Sequence, residues 1–599
     1  MKKIEKYFFL LAAFFTVLLA ACGEDPEDRI PNHVVMSVGF QINTLDPALA
    51  ADSPTLSVCS AFYDTLIQYR YNTEDQSILE GAMLAKLPEL QQDGKTYLCT
   101  LREDLLFQES PAFSDRAARR VTSDDVIFSL KRLADARLHS PGYDIVRDLI
   151  AGIDDFYERT KSAAKDDFSV YDTEIDGLRR IDDTRFLIVC KEKNPRALYL
   201  LAMPNCAIVS RRAVEYYGND EFGRNPCGSG PYKMIKWKRD HSVVMERYED
   251  YRLEYLPDAD DPAERSERLP LADRITCYLV RQGVSSWLMF LQGKLDLFVL
   301  DNEQFQALVD DDLELAEPLQ ERQIRLLRAP LMETNYIGFN FNDPVLGNNA
   351  ALRMAISLAF DKELRVLQSG GRFTAAFGPV PPGMPGNLKT EEGLQKNIEM
   401  AKKMMTEAGY PGGIDPATGK PLVLTFDQPG TDTLYQQNAE MFQNDMKKIG
   451  IEVRTMLNTR PRFQEKLKSG DIQLFRYSWV GDYPDAENFL KLFYSRNAGG
   501  SNRVCYNDPV YDQMYEEVAL MPDSPARSAK YEAMARYLLK RAPWIFETHT
   551  MAFVVTHSWL KNYRIHNFTF NRWKYLSAPS RERVEMRKKF KPLKMSELH

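Results

Sequence analysis

The sequence predicts a mixed α/β fold that contains more than one domain. The chain has 599 residues, about four times the usual domain length of roughly 150 residues. Its composition, 44% apolar and 27% charged, is that of ordinary globular protein. Segments with strand patterns and segments with helix patterns alternate irregularly along the chain. This alternation favours several sheets covered by helices over a single barrel.

Strands are predicted where short apolar or alternating runs are bounded by turn residues. The segment 227–239 begins with the Gly-rich turn CGSGP and continues as a strand. The acidic, Pro-containing segment 253–270 is predicted to be an exposed loop or insertion. The other predicted strands are the beginning of 33–70, 95–107, 184–191, 272–280, 335–343, 421–428, 451–457 and 472–480.

Helices are predicted where apolar residues recur on one face. In 121–136, Thr122 stands before the first turn and Asp125 follows three residues later, which is the spacing of a capping box. In 434–450, an apolar stripe ends at Gly450, a typical C-terminal stop. Further helices are predicted from near Leu56 and over 194–204, 283–292, 351–371, 397–413 and 525–544.

The N-terminus predicts export and lipid attachment. Lys2, Lys3 and Lys6 precede the apolar run 7–21, which is too short for a confident membrane span. The run ends in Leu-Ala-Ala-Cys at Cys22, which resembles the bacterial lipobox, in which the Cys becomes the lipid-modified first residue. A plain membrane anchor and an ordinary signal peptide are the alternatives.

We therefore expect 1–21 to be a lipoprotein signal peptide and 22–32 to be a polar tether. Acyl chains on Cys22 would hold the protein at a membrane, since each buried methylene adds about 0.8 kcal/mol. The expected location is the periplasm or the outer cell surface.

Composition excludes several other classes. The net charge of −8 argues against nucleic-acid binding. The Cys residues after Cys22 are scattered, form no CxxC pair and suggest no zinc site. Their odd number leaves at least one unpaired within the chain, and we interpret them as small buried side chains with one or two disulfides. These residues are Cys59, Cys99, Cys190, Cys206, Cys227, Cys277 and Cys505.

Motifs that carry catalysis are missing from the sequence. It has no GxxxxGK[ST] loop, no HExxH and no GxSxG elbow. CGSGP lacks the preceding strand and following helix of a dinucleotide loop, so we interpret it as a turn. The seven His are dispersed, and His549 and His557 lie in a strand-like run. We therefore expect neither an enzyme nor a bound cofactor or metal.

An ordered set of segments resembles the family 5 extracellular solute-binding proteins, the dipeptide and oligopeptide receptors of ABC importers. Each segment alone is weak evidence, but the order covers nearly the whole exported chain. GSGPYKMIKW resembles the family's Gly-Thr-Gly-Pro-Tyr turn, with Ser229 where Thr is usual. The other segments are NTLDPALAADSPTLSVCSAFYDTLIQY, DGKTYLCTLREDLLF, VTSDDVIFSLKRL, LQGKLDLF, IGFNF, LRMAISLAFDKE, AKKMMTEAGYPGG, WVGDYPDAENF and APWIF.

The resemblance implies a two-lobed periplasmic-binding-protein fold (type II, cluster C-like) with an extra N-terminal-side α/β domain. A hinge would let the lobes close on the ligand, and a permease would recognise the closed shape. The implied limits are 33–64, 188–272 and 554–599 for the first lobe with the C-terminal tail, 65–187 for the extra domain and 273–553 for the second lobe.

The resemblance also implies an amine-binding carboxylate. Asp482 follows Trp479 by three residues, as does the Asp that pairs with the peptide's α-amino group in the peptide-binding members. An ammonium and a carboxylate form short, charge-assisted hydrogen bonds. Away from water their attraction is less screened. A cation that neutralises Asp482 would then favour closure.

Further site residues follow from the same resemblance. Arg476 matches a position that can meet a short peptide's carboxylate, and a structural ion pair is the alternative. Ala51, Asp52 and Ser53 match the segment whose backbone pairs with the peptide, and the charge of Asp52 would favour cationic ligands. Tyr483 would line the cleft or belong to the core.

The expected partners are short peptides or other amine-bearing ligands, an ABC permease with its ATPase, and a membrane through the lipid anchor. No nucleic acid is expected, and the protein is expected to be a monomer. Three alternatives remain open. They are the same fold binding a non-peptide solute such as a metal chelate, haem, opine or sugar, a sensory or chaperone-like binding protein, and a secreted lipoprotein enzyme.

Overall fold

The computed structural model describes residues 26–39, 41–280, 283–310, 312–591 and 593–594. The predicted signal peptide and Cys22 lie outside these ranges. Within them, no helix combines the length and the apolar character that crossing a bilayer requires.

The strands agree with most of the sequence-based predictions. They are β1 His33–Val38, β2 Ile67–Tyr69, β3 Leu79–Gly81, β4 Glu89–Leu90, β5 Thr96–Thr100, β6 Leu178–Arg180, β7 Arg185–Val189, β8 Tyr232–Lys238, β9 Ser242–Arg247, β10 Arg274–Leu279, β11 Leu297–Val299, β12 Arg325–Phe339, β13 Phe373–Ala375, β14 Val423–Gln428, β15 Glu452–Leu457, β16 Leu474–Val480 and β17 Trp544–Thr556.

The helices lie between and around these strands. They are α1 Ser53–Phe62, α2 Ser123–Leu133, α3 Tyr143–Arg147, α4 Ile153–Thr160, α5 Ala197–Leu201, α6 Arg211–Phe222, α7 Gly283–Leu291, α8 Asn302–Leu308, α9 Glu317–Gln320, α10 Ala350–Ala359, α11 Lys362–Gln368, α12 Ile398–Glu407, α13 Thr433–Lys447, α14 Arg460–Ser469, α15 Glu487–Leu490, α16 Pro509–Ala519, α17 Pro525–Arg541 and α18 Ser580–Lys589.

The first lobe is built on a four-stranded sheet in the order β1-β10-β9-β8. β1 runs parallel to β10, with His33 opposite Arg274, and the other pairs are antiparallel. Val35 of β1 packs with Phe298 of β11, Val555 of β17 and the C-terminal Leu593 in one buried cluster. The first strand and the region around Leu593 are therefore packed together in this lobe.

A smaller sheet lies within the predicted extra domain, in the order β4-β5-β7-β6. Helix α2 packs beside it. The Asp125 carboxylate accepts a hydrogen bond from the Thr122 backbone N–H at 3.0 Å, so the predicted capping at this N-terminus is confirmed. This contact satisfies one of the backbone donors that the first turn leaves unpaired.

Two long antiparallel strands, β12 and β17, belong to both lobes. The first six residues of β12 pair with the last six of β17, beside β11. From Thr334 onward, β12 pairs with the first part of β17 on one side and with β16 on the other. The register shifts between Pro330 and Thr334, where Pro330 offers no N–H to the ladder. This irregular stretch links the lobes.

The limits of the domains stay a prediction, but the strand pairing bears on one of them. The limit at 273 assigns β10 to the second lobe, whereas β10 is hydrogen-bonded between β1 and β9. We therefore draw the first crossing between the lobes at 330–334. The sequence predicted a strand only over 335–343, so it did not indicate that β12 begins earlier, at Arg325, and crosses between the lobes.

The segment 253–270 is largely an exposed loop, as predicted, but a few of its residues are buried. Ala259 and Leu269 are each only 1% exposed. The Glu264 carboxylate accepts a hydrogen bond from Asn562 Nδ2 at 2.8 Å, and Asp260 Oδ2 accepts one from the Asn562 backbone N–H at 2.6 Å. The acidic residues are therefore partners of the C-terminal segment, which the composition of the loop alone did not indicate.

Cysteine and histidine side chains in the described part of the chain are mostly buried in the core. The seven described Cys are free thiols, so the interpretation of one or two disulfides is wrong for these residues. Burial lowers the pKa of His549 to about 4 and that of His557 to about 3, which keeps both neutral. The described residues contain no group of three His, Cys, Asp or Glu arranged to hold a metal.

One buried ion pair fastens α18 to the segment before β11 in the first lobe. Arg583 Nη2 of α18 donates to both Asp296 oxygens at 3.0 Å, and both side chains are 1% exposed. Asp296 also accepts hydrogen bonds from the Val35 backbone N–H at 2.6 Å and from Trp559 Nε1 at 2.7 Å. Every partner of the Asp296 carboxylate therefore comes from a distant part of the sequence.

Replacing Arg583 with Met should destabilise this lobe by about 3–5 kcal/mol, because it leaves the Asp296 charge buried without its cation. Urea unfolding followed by tryptophan fluorescence would show the loss as a lower midpoint. Arg581→Met on the same helix is the matched control, since that side chain is 90% exposed and pairs only with Glu585. Equal midpoints for the two variants would contradict the assignment.

Candidate ligand-binding site

A large cleft lies between the lobes. Its volume is about 1550 Å³, above the roughly 300–1,000 Å³ typical of sites for small molecules. The lining includes the segment before and within α1, the segments 141–148 and 191–205, the loop after β16, the segment 494–520 and the C-terminal segment 563–572. The cleft therefore has room for a short peptide or a solute of similar size.

Asp482 stands on the loop that follows β16, in the wall of the cleft. Its carboxylate is 36% exposed and accepts hydrogen bonds from Asn488 Nδ2 at 3.0 Å and from Lys491 Nζ at 3.2 Å. The buried Asn488 accepts in turn from Trp479 Nε1 at 2.8 Å and from the Asp482 backbone N–H at 3.1 Å. Asn488 thus fixes the loop that carries the carboxylate.

Lys491 supplies an internal ammonium group to Asp482. Its Nζ lies 5.5 Å from the ring centroid of Trp479 and 5.2 Å from that of Tyr483, within cation–π range. One carboxylate and two aromatic faces therefore surround this ammonium, as expected for the amine of a ligand. The sequence-based argument missed Lys491, although it is the first basic residue after Asp482.

Arg476 forms a structural ion pair, which was the alternative to contact with a ligand's carboxylate. Its Nε donates to Glu547 Oε2 at 2.8 Å, and Arg365 Nε lies 3.8 Å from the other oxygen of Glu547. Burial alone would lower the pKa of Arg476, but the attraction of Glu547 and, more weakly, of Glu333 raises it above its usual value. Arg476 is a member of an ion-pair network and is not among the residues that line the cleft.

Residues 51–53 have two different roles, since two of them line the cleft and the third caps helix α1. Ala51 and Ser53 line the cleft and are exposed. Asp52 is the N-cap of α1, and its two oxygens accept from the Thr55 backbone N–H and the Thr55 hydroxyl, both at 2.9 Å. The charge of Asp52 therefore acts on the helix end rather than facing the cleft.

Tyr483 contributes a wall of the cleft. It is 4% exposed, and its ring stacks on Tyr199 of α5 with a centroid distance of 6.3 Å. Its hydroxyl donates to Glu487 Oε2 at 2.7 Å. Of the predicted site residues, Ala51, Ser53, Trp479, Asp482 and Tyr483 share the cleft, whereas Asp52 and Arg476 do not line it.

A buried ion pair joins the two sides of the cleft. Arg196 Nε, from the segment after β7, lies 3.3 Å from Glu487 Oε2 at the start of α15. Arg196 also donates to the Ala519 carbonyl at 3.0 Å, and Glu487 accepts from the hydroxyls of Tyr483 and Tyr515. Burial alone would raise the pKa of Glu487, but Arg196 and these hydrogen bonds lower it. The pair is thus a charged contact between the lobes.

Comparison with known proteins connects this geometry to a family. The family model described as "Bacterial extracellular solute-binding proteins, family 5 Middle" matches residues 79–501, more than half of the chain. The chain belongs to this family. The family predicted from the sequence is confirmed, and it is a family of solute-binding proteins rather than of enzymes.

Two curated relatives match over most of their length. "Heme-binding protein A" of Haemophilus influenzae is 23% identical over 574 residues, which is 92% of this chain and 96% of that protein. A "Glutathione-binding protein" of Shigella dysenteriae serotype 1 is 24% identical over 540 residues, which is 88% of this chain and 90% of that protein.

A solved structure has the same fold. The periplasmic binding protein DppA of Helicobacter pylori, in complex with the peptide STSA, superposes with a TM-score of 0.71 at 20% identity. The match covers 92% of this chain and 99% of that one. The predicted two-lobed periplasmic-binding-protein fold is confirmed.

Replacing Arg196 with Met should favour an open arrangement of the lobes, because a buried Glu487 left without its cation costs about 3 kcal/mol or more. Small-angle scattering would show this as a larger radius of gyration. Lys191→Met is the matched control, since Lys191 also lines the cleft but pairs with Asp154 on its own side. An unchanged scattering curve for Arg196→Met would contradict the role of the pair.

Proposed function

We propose that this protein is a lipid-anchored substrate-binding protein of an ABC importer, which captures short peptides between its lobes and delivers them to a permease. The family and the size of the cleft support a solute-binding role. The proposal that the ligand carries an amine depends on one observation above all. A half-exposed carboxylate, Asp482, stands beside two aromatic rings in the wall of the cleft and holds an ammonium group.

The ligand's amine would take the place of Lys491 on Asp482. Lys491 is a flexible side chain that is 20% exposed, so it can turn towards water when another ammonium group arrives. The exchange leaves Asp482 neutralised throughout, which avoids the cost of a buried unpaired charge. The affinity then reflects the difference between the two ammonium groups, together with contacts made elsewhere in the cleft.

A second candidate is a solute without an amine. The Lys491–Asp482 contact favours it, because Asp482 already has a cation of its own and needs none from the ligand. Two relatives are a heme-binding and a glutathione-binding protein, which widens the range of solutes to consider. In this case Lys491 would remain on Asp482 while the solute is bound.

The first experiment is native mass spectrometry of the purified protein, followed by denaturing release and identification of any solute that travels with it. Calorimetry with trialanine then tests the amine site. Asp482→Asn should weaken binding by about 2–3 kcal/mol, since the ligand's amine would meet this carboxylate in the closed cleft, away from water, where a charge pair is worth more than the partly exposed Lys491 pair that it replaces. Lys491→Met should tighten binding by up to roughly fivefold, because a partly exposed ion pair contributes at most about 1 kcal/mol.

Glu516→Gln is the control for these variants, since Glu516 lines the cleft but pairs with Arg496 at 3.0 Å and is 50% exposed. Its affinity for trialanine should stay within about 0.5 kcal/mol of the original. If no peptide is found and Asp482→Asn binds the identified solute unchanged, the peptide proposal fails and the second candidate stands.

The proposed anchor has a separate test. Mass spectrometry of the mature N-terminal peptide should show acyl chains on Cys22, and Cys22→Ser should move the exported protein from the membrane fraction to the soluble fraction. Cys59→Ser, which alters a buried thiol, serves as the control and should leave the protein in the membrane fraction. An unmodified N-terminal peptide would refute the lipid attachment.

A further inference from the structure

The charges that line the cleft are almost all paired within the chain. Among the described residues, six Lys and Arg side chains line it, and five of them have a carboxylate at salt-bridge distance. These five pairs are Arg147 with Asp144 and Asp148, Lys191 with Asp154, Arg196 with Glu487, Lys491 with Asp482 and Arg496 with Glu516. The sixth, Arg572, has no ion pair with any described residue.

Arg572 is held in place by a neutral neighbour. Its Nη1 donates to the His566 carbonyl at 3.3 Å. His566 Nδ1 accepts from the backbone N–H groups of Phe568 and Thr569 at 3.2 and 3.1 Å. Burial, followed by the nearby charge of Arg572, lowers the pKa of His566 to about 4. The guanidinium is therefore the positive group of this part of the cleft, and most of its five N–H donors remain available.

The acidic residues of the cleft leave no counter-charge for Arg572. Glu192 and Glu333 are the described cleft-lining carboxylates without a salt bridge. Glu192 is exposed to water, and the charge of Glu333 acts on Arg476. Since the other acids are engaged in the pairs above, the half-buried Arg572 faces the cleft with its charge unbalanced.

We propose that Arg572 receives a carboxylate of the solute and so selects ligands that carry one. A guanidinium meets a carboxylate through two parallel N–H···O bonds, which fixes its orientation as well as its charge. This role was expected of Arg476, whose guanidinium is engaged by Glu547 instead. The inference rests on the proposed function, in that the cleft is taken as the solute site.

Calorimetry with two matched peptides tests the inference. Trialanine carries a terminal carboxylate and its C-terminal amide does not. The original protein should prefer the acid, and Arg572→Met should weaken binding of the acid by roughly 10- to 150-fold while leaving the amide unaffected, as expected for a hydrogen bond to a charged group. The ratio of the two affinities does not depend on the folded fraction, so a merely structural role would leave it unchanged.

Two further variants sharpen the result. Arg496→Met removes another cation from the cleft wall, but one that is paired and 76% exposed, and should leave the ratio unchanged. Arg572→Lys keeps the charge but loses the paired donors, and should recover part of the preference for the acid. The amide of Ala-Glu-Ala, whose only carboxylate is on a side chain, distinguishes a terminal from a side-chain source.

Failure of the inference can be told from failure of the proposed function. If no peptide binds, the peptide proposal fails, and reduced glutathione and haemin serve as the carboxylate-bearing probes. Weaker binding of either by Arg572→Met alone would then support the carboxylate site. Equal affinity of the original and Arg572→Met for every carboxylate probe that binds would overturn the inference, and so would the absence of binding by all of them.

Discussion

The cleft depends on one constraint of the backbone, the sharing of β12 and β17 by both lobes. Two paired strands resist bending where their ladder of hydrogen bonds is complete. They bend more easily where the register shifts and where Pro330 has no N–H to donate. Next to this point, Thr334 donates its hydroxyl to the Pro379 carbonyl at 2.8 Å, and His549 Nδ1 lies 3.1 Å from the same hydroxyl. The irregular stretch 330–334 therefore lies next to a fixed polar contact, that of Thr334 with Pro379 and His549. A flexible stretch beside a fixed contact favours a hinge with a defined axis.

The pairing of charges around the cleft follows from the position of these side chains between the two lobes. Each side chain that faces the space between the lobes loses part of its hydration, so an unpaired charge there is costly. Glu487 illustrates the solution, since it meets Arg196 across the cleft and two tyrosine hydroxyls on its own side. Asp482 solves the same problem with Lys491, but more exposed to water. Burial makes the first pair a structural contact, whereas partial exposure leaves the second open to exchange.

Local features of the fold were predictable from the sequence, and long-range partners were not. The capping box of α2 and the strand that ends at Val480 follow from residues a few positions apart. The turn after β16 likewise indicated where Asp482 would stand. Arg476 and Glu547 are 71 positions apart, and no local pattern shows that they pair. The same holds for Asp260 and Asn562, whose contact fastens the mostly exposed acidic segment 253–270 to the C-terminal segment.

The difference between local features and long-range partners also applies to the residues that would determine ligand specificity. The family resemblance placed a carboxylate in the cleft, but the charge that a ligand must bring depends on which groups the chain has already neutralised. Lys491 pairs with Asp482, Glu547 pairs with Arg476, and Asp52 caps its own helix, so none of the three predicted charged residues is left without a partner. Arg572, which no motif indicated, is left with its charge unbalanced in the cleft. An amine must therefore compete with a resident ammonium group, whereas a carboxylate meets a cation without a competitor, and this difference favours anionic groups in the choice of solute.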